Sequence, residues 1–557
     1  MSSEPSGSSS PLNVAAYLPL LAQAQPDVLS VAIARPGPAG TSRYDTLTAS
    51  ELDRRSDRVA HALVSVGIER GTRTVLMVKP SVDFFAITFA MLKVGAVPVM
   101  VDPGMGIKNL GVCLAEAEPT AFIGIPKAHI ARFVLGWAKA TVRTKVMVGP
   151  WVPGGGPTLA KLESAAPDTP YAPIEPDPEE TAAILFTSGS TGVPKGVVTP
   201  HRVFAAQVQQ LRDSFGIEPG DRDLSTFPLF ALFGPALGMA SIVPDMDASR
   251  PAEADPRKLI ETFREHKCTN MFASPAIIDK LGRYCETEGI ELTGLRRAIS
   301  AGAPASTPAI ERFASILPQG VQVFTPYGAT ESLPVAVIGS DAILGDTRRR
   351  TETGGGVCVG YPVAGMEVAI IAVEDGPIAQ WDDELRLPAG EVGEIVVKGS
   401  VVTPSYFNRE ESTKLAKIPD ADGSVRHRMG DVGYLDDDGR LWMCGRKSHR
   451  VQTESGTLFT VSCEAVFNTH AAVRRTALVG VPAGEHAKPV LCVELEPGRA
   501  NDWKDIEAEL KAIGAKHEHT AGIETLLLHS ASFPVDVRHN SKIFREKLAV
   551  WAQETLR

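Results

Sequence analysis

The apolar positions fall into two textures along the chain. In the first, short apolar runs such as TVLMV (74–78) and VPVMV (97–101) read as buried strands. Between them, SVDFFAITFAMLKVG (81–95) has apolar residues at helical spacing and ends on a glycine, a helix-stop signal. AAILF (182–186) is again strand-like, and a glycine-rich loop follows it directly. This alternation predicts an α/β fold. From about residue 355 the texture changes to shorter strands and turns: MEVAIIAVED, GEVGEIVVKG and GYLDDDGRLWMCGR, with DDDGR as a hairpin turn. After Gly445 comes a stretch of roughly a hundred residues with strands (VLCVELE) and a charged helix (NDWKDIEAELKAIGAKH), enough for a small α+β domain. No internal repeat is evident.

Length and composition narrow the possibilities. A chain of 557 residues exceeds a single core, so several subdomains are expected. A net charge of -10 argues against a chain-wide electrostatic grip on nucleic acid. The seven cysteines are scattered, with no CxxC and no Cys/His cluster, so neither a zinc site nor a disulfide framework is expected and a reducing cytosol is the simple reading. The opening MSSEPSGSSS reads as a disordered tail, residues 1–10, rather than a signal peptide. No apolar stretch reaches membrane-spanning length; ALFGPALGMASIVP is short and broken by Gly and Pro, and is expected to be pocket or core wall.

The loop FTSGSTGVPKG (186–196) carries the clearest chemistry. Glycines after a strand let backbone N–H groups turn toward an anion, hydroxyls add donors, and Lys195 adds a positive charge. Lys195 is followed by Gly196 rather than Ser or Thr, so the Walker phosphate loop is excluded. A plain flexible turn is the alternative.

FTSGSTGVPKGVV resembles the phosphate-loop signature of the adenylate-forming superfamily, which includes acyl-CoA synthetases, peptide-synthetase adenylation domains and beetle luciferases. SAGAPAS (300–306), YGATES (327–332), MGDVGYLDDDGRLWMCGRK (429–447) and HNSKIFREKL (539–548) are similar to further motifs of that family, in family order. The resemblance implies a large N-terminal domain of several subdomains at 11–445 and a small mobile C-terminal domain at 446–557. It also implies ATP and Mg²⁺. Thr187, Ser188, Gly189, Ser190, Thr191 and Gly192, with Lys195, are expected around the β- and γ-phosphates. Thr330 is expected on the α-phosphate, and Glu331 on Mg²⁺, a cation that prefers oxygen ligands. Gly302, Ala303, Pro304, Tyr327, Gly328 and Ala329 are expected around the adenine, Asp431 on the ribose hydroxyls, Arg446 on ribose or phosphate, and Lys542 as the catalytic lysine bridging carboxylate and α-phosphate. Taken singly, each has a plainer reading: Asp431 as a turn cap, Glu331 and Lys542 as surface charges.

The chain departs from the family pattern around the expected hinge residue, Ser448. The lysine usual after the apolar residue beyond the hinge, here Val451, is Gln452, the Gly-Gly turn is Ser455-Gly456, Met429 replaces threonine, Ser541 replaces glycine, and Ala231 stands where histidine is common. Together these place ordinary CoA thioester formation in doubt. VDPGMGIKNLGVCLAEAEPTAFIG (101–124), GRKSHRV and DVRHNSKIFREKLAVWA are similar to the β-lactone synthetases of bacterial long-chain olefin biosynthesis. That resemblance implies adenylation of a 2-alkyl-3-hydroxy fatty acid, then closure of its own 3-hydroxyl onto the carboxyl carbon, with no CoA. Candidate pocket walls are Phe230, Leu232, Phe233 and Gly234, Phe272 to Pro275, Leu333 to Val335, and Gly354 to Gly356 with Gly355 central; each apolar one has plain core as its alternative. His201 and His427 are candidate bases or structural hydrogen-bonding groups, with the adenylate phosphate as the alternative acceptor of the proton; His517 and His519 lack further ligand spacing. The alternatives are a long-chain acyl-CoA ligase or acyl-AMP ligase, and a nucleotide-binding regulator without chemistry. Neighbouring enzymes implied are a β-keto acid reductase and an α/β-hydrolase-like β-lactone decarboxylase.

Overall fold

The computed structural model of the protein describes residues 10–38, 41–187, 194–535 and 543–557. The expected α/β architecture is present, as two large sheets and a smaller C-terminal unit.

The helix Val82–Val94 shows how local sequence builds the first layer. Ser81 caps it, its hydroxyl accepting from the Phe84 N–H at 3.2 Å, and Gly95 ends it in the left-handed conformation. A side chain on Gly95 would also run into Ile174, since a Cβ there would stand 2.5 Å from Ile174 Cδ1. Between Asp83 and Lys93 the helix is almost wholly apolar and is buried accordingly. Its buried Lys93 is held by Asp53 at 2.7 Å and Asp57 at 2.5 Å from the helix Ala49–Ser65. That helix begins with a Thr48/Glu51 capping box.

Below these helices lies a sheet that is seven-stranded among the described residues. Val97–Met100, Arg73–Met77, Ala121–Gly124 and Thr144–Met147 run parallel, and Thr181–Thr187 joins Val97–Met100 in parallel. Lys195–Pro200 then pairs antiparallel with Thr181–Thr187, so the glycine-rich loop is the connection between two neighbouring strands.

The second sheet, 14-stranded among the described residues, has a parallel centre: Ala240–Val243, Arg222–Ser225, Asn270–Ala273, Arg297–Ser300 and Val323–Ala329. It turns antiparallel at Ser332–Gly339 and continues through Val357–Pro362 to the hairpin Val425–Leu435 and Leu441–Arg446. The predicted DDDGR turn makes that hairpin: Asp436 Oδ1 accepts the Arg440 N–H at 2.8 Å.

The smaller unit pairs Val473–Ala483 with His486–Leu495 antiparallel and adds Thr525–Leu528 in parallel, with the predicted charged helix at Trp503–Gly514. Buried Glu464, on the helix Thr460–Phe467, makes a two-pronged ion pair with Arg545 at 2.7 and 2.9 Å and accepts the Leu478 N–H at 2.7 Å, tying the last helix Arg545–Thr555 to that helix and to the sheet. At the expected boundary, Arg446 still pairs with Asp431 inside the large sheet, and the chain leaves it through the single helical turn Lys447–His449.

Candidate functional site

The site residues gather beyond the carboxyl ends of the parallel strands of the large sheet, where α/β folds bind ligands. Arg297–Ser300 delivers the loop holding Gly302, Ala303 and Pro304, with Gly302 at φ +95°. The neighbouring strand Val323–Ala329 delivers Tyr327, Gly328 and Ala329, and Thr330 stands exposed at the turn back into Ser332–Gly339. Gly328 leaves no space for a side chain: a Cβ there would lie 2.6 Å from the Ser332 carbonyl oxygen.

Two pairs of side chains organise the centre. In the first, Tyr327 donates its hydroxyl to Asp431 Oδ2 at 2.7 Å, and Arg446 Nη1 lies 3.1 Å from Asp431 Oδ1. Cross-strand register fixes this contact, because Asp431 and Arg446 are opposite each other in the hairpin. Burial, then the Asp431 charge, pushes the Tyr327 hydroxyl far above its ordinary range, so it stays a donor; Asp431 strengthens the charge on Arg446. In the second pair, Tyr406 donates to Glu331 Oε1 at 2.7 Å, and burial holds Tyr406 neutral as well. Lys195 Nζ stands 4.9 Å from the centre of the Tyr406 ring, a cation–π contact. Tyr406 reaches this place because the short strand Ser405–Tyr406 pairs with Val197 and Val198, just past Lys195.

Behind Glu331 lies a buried basic layer that sequence reasoning missed in part. Lys417 is buried and touches Thr403 Oγ1 at 3.3 Å, while Thr403 donates to the Glu331 carbonyl through both its N–H and its hydroxyl. Burial pushes the Lys417 ammonium down to about 7, against the pull of Glu331. Lys417 is the strand neighbour of His427. His427 is buried and pushed well below its ordinary value, first by burial and then by Lys417, Lys195 and Arg446. Its Nδ1 lies 3.1 Å from the Ala416 carbonyl, which can only accept, so Nδ1 carries the proton and Nε2 the lone pair. His201 is buried at the start of the helix His201–Phe215, and burial pushes it down to about 4. Tyr406 and Lys417 had no motif to mark them; a lone tyrosine and a lone lysine carry no spacing signal.

Among the pocket candidates, Phe230 stacks on Phe272 with ring centres 3.8 Å apart, and Phe233 meets Phe204 edge-on at 5.8 Å. Leu232, Phe233 and Leu333 are only partly buried. Val335 is fully buried, packed into the core with Val363 and Val397. Gly234 is a close-packing position, since a Cβ there would lie 2.1 Å from Ser241 Oγ. Gly355 sits beside Arg350, and its carbonyl accepts from Tyr434. Ser448 is exposed at the crossing, flanked by Lys447, 3.0 Å from Glu394, and Arg450, 2.5 Å from Asp375. Ser188 to Gly192 and Lys542 lie outside the described residues, as does the side chain of Thr187.

A strand–loop–strand that ends on a lysine, a tyrosine-held aspartate paired to an arginine, and a glutamate beside them form one polar surface suited to a nucleotide. The family profile described as AMP-binding enzyme matches residues 22–407. The chain belongs to the AMP-binding enzyme family. Its members are adenylate-forming ligases, and two curated relatives match this chain from end to end. One, an olefin beta-lactone synthetase from Xanthomonas campestris pv. campestris, is 51% identical over 551 residues, covering 97% of this chain and 98% of the relative. The other, an olefin beta-lactone synthetase from Stenotrophomonas maltophilia, is 51% identical over 555 residues, covering 98% and 99%. Among solved structures, the amide bond synthetase McbA from Marinactinospora thermotolerans superposes with a TM-score of 0.78 at 23% identity, covering 97% of this chain and 99% of that one. That likeness shows the AMP-binding enzyme fold across both the large and the small unit.

Proposed function

We propose that this AMP-binding enzyme activates a long-chain 2-alkyl-3-hydroxy fatty acid with ATP and closes it to a β-lactone. The observation that carries the reading is the end-to-end 51% identity to two olefin beta-lactone synthetases. In the first step a carboxylate oxygen attacks the α-phosphorus, a P–O bond forms, and pyrophosphate leaves. Two anions must meet for this, so positive charge is needed where they approach. Lys195 and Arg446 supply it from the described residues, and Lys542 takes the bridging role. Asp431 and Tyr327 hold the ribose and adenine side of the nucleotide. Glu331 presents the carboxylate oxygens that suit Mg²⁺, and the ion when bound neutralises phosphate charge.

In the second step the 3-hydroxyl oxygen attacks the acyl carbon, the bond to phosphate oxygen breaks, and AMP leaves. The hydroxyl proton passes to a base. The departing AMP phosphate serves as that base: burial weakens both His201 and His427 as proton acceptors, and the neighbouring Lys417, Lys195 and Arg446 weaken His427 further. The nucleophile belongs to the substrate, so no second ligand has to be bound and oriented. We place the enzyme in the cytosol, working between a β-keto acid reductase that makes the hydroxy acid and a β-lactone decarboxylase that consumes the product.

The test is product analysis with ATP, Mg²⁺ and a 2-alkyl-3-hydroxy fatty acid, with and without CoA. β-Lactone and AMP are expected without CoA. A product seen only as a CoA thioester overturns the proposal and returns the chain to acyl-CoA ligation.

A further inference from the structure

The helix Pro126–Leu135 turns the wrong face to water. Phe133 is 80% exposed, Val134 71% and Ile130 53%, and Leu135 follows them into solvent. Residues 130, 133 and 134 share one helical stripe, which a helix on the surface of a water-soluble protein fills with polar side chains. The apolar area extends sideways. A Cβ on Gly111 would stand 3.1 Å from Trp137 Nε1, so the helix Ile107–Glu116 abuts the end of Pro126–Leu135, and it adds exposed Ile107 and Val112. On the other flank, the loop carrying exposed Trp151 runs beside Pro126, which a Cβ on Gly149 would approach to 3.7 Å.

Along the stretch of chain that carries this helix, charge has one sign. The chain as a whole carries -10, yet residues 119–162 contain no aspartate or glutamate. Lys127, Lys139 and Arg143 are exposed there, and Lys108 is exposed beside Ile107. The acids nearest along the chain point elsewhere: Glu116 pairs with Arg409 at 2.6 Å and Glu118 with Arg73 at 3.8 Å.

We propose that this face docks the enzyme on an anionic lipid surface, with Phe133, Val134 and Ile130 entering the headgroup boundary and the lysines and Arg143 facing lipid phosphates. An outward apolar stripe ringed by cations, with a tryptophan at its edge, is the chemistry of a helix lying in a membrane interface. A docking face for a protein partner without acidic residues needs no such ring of cations, and a second copy of this chain brings the same positive charge and repels. The patch is independent of which acid the site activates.

The experiment is co-sedimentation of the full chain with phosphatidylcholine vesicles, with and without phosphatidylglycerol, at rising NaCl. Binding is expected only with phosphatidylglycerol and is expected to weaken with salt as the surface charge is screened. Phe133→Glu with Val134→Glu is expected to lower the bound fraction by roughly tenfold or more, the loss of two buried apolar groups. Lys127→Glu with Arg143→Glu is expected to abolish the preference for phosphatidylglycerol. Pyrophosphate release from detergent-dispersed acid is expected to be unchanged in both variants, which shows them folded. No binding to phosphatidylglycerol vesicles overturns the proposal, as does binding that the Phe133/Val134 variant retains. Dimerisation in sedimentation analysis that the same variant abolishes, without vesicle binding, assigns the face to a second copy instead.

Discussion

Lys417 changes its charge near neutral pH. Its ammonium titrates near 7, below the ordinary lysine value, because burial removes its hydration. Below that pH it is charged and adds to the positive potential behind Glu331; above it, that charge is gone. ATP affinity is therefore expected to weaken as pH rises through 7, and to lose this dependence in Lys417→Met, as measured by calorimetric titration across pH 6 to 8 (about one unit either side of 7). The sign for stability is opposite. An unfolded lysine keeps its proton to ~10.4, so above 7 the unfolded state binds the extra proton and stability rises with pH in that window. Asp431 offers a second test. Asp431→Asn keeps an acceptor for Tyr327 but loses the charge, and hydrogen bonds to charged groups contribute about 1.5–3 kcal/mol. AMP binding is expected to weaken roughly 10- to 100-fold, with the fold retained by circular dichroism. An unchanged affinity would remove Asp431 from nucleotide binding.

At the scale of elements, the hairpin Val425–Leu435 and Leu441–Arg446 is the part on which the site depends most. It carries Asp431 and Arg446 face to face and leads directly into the crossing to the C-terminal unit. Its other anchor is Arg428, whose guanidinium grips the fully buried Glu394 at 2.6 and 3.1 Å; Lys447 reaches the same carboxylate at 3.0 Å. Arg428 also donates to the Gly376, Leu415 and Glu374 carbonyls, so removing it breaks a buried network that Lys447 replaces only in part, at a cost of up to about 3–5 kcal/mol. Arg428→Met is expected to lower the urea midpoint accordingly, whereas Lys447→Ala, which leaves Arg428 on Glu394, is expected to shift it little and instead to speed proteolytic cleavage at 447–450. The turn of this hairpin is legible as DDDGR. The ion pair is not, since its members sit on different strands and neither belongs to a motif.

On the scale of the whole molecule, the C-terminal unit rests against the glycine run that ends the helix Arg348–Glu352. Gly354 is at φ +89°, and a Cβ there would lie 2.0 Å from His519 Nε2 and 3.1 Å from the Ser462 carbonyl oxygen. As sequence, these glycines read as a place where an acyl chain passes closely; the close approach at Gly354 is made by the C-terminal unit. Gly354→Leu is expected to push that unit away and raise hydrogen exchange in Thr460–Phe467. Exchange that stays at the wild-type rate would mean that the contact is not held in solution.

Much of this enzyme is decided by residues close in sequence. The strands at 73–77 and 97–100, the helix between them with its Ser81 and Gly95 ends, and the hairpin at 436–440 follow from local periodicity and turn chemistry. The AMP-binding motifs are equally local, and so the family and the residues of the polar centre, Tyr327, Glu331, Asp431 and Arg446, are readable from the sequence by itself. Tertiary structure alone decided what stands around that centre. Tyr406 comes to Glu331 across 75 positions, and Lys417 becomes a near-neutral base only because the fold removes water from it. Burial also sorted the expected pocket, taking Val335 into the core and leaving Leu232 and Phe233 partly open. Spacing along a chain records which residues share a helix face or a strand; it does not record which side chains lose their water, and that loss sets the charge states on which the chemistry runs.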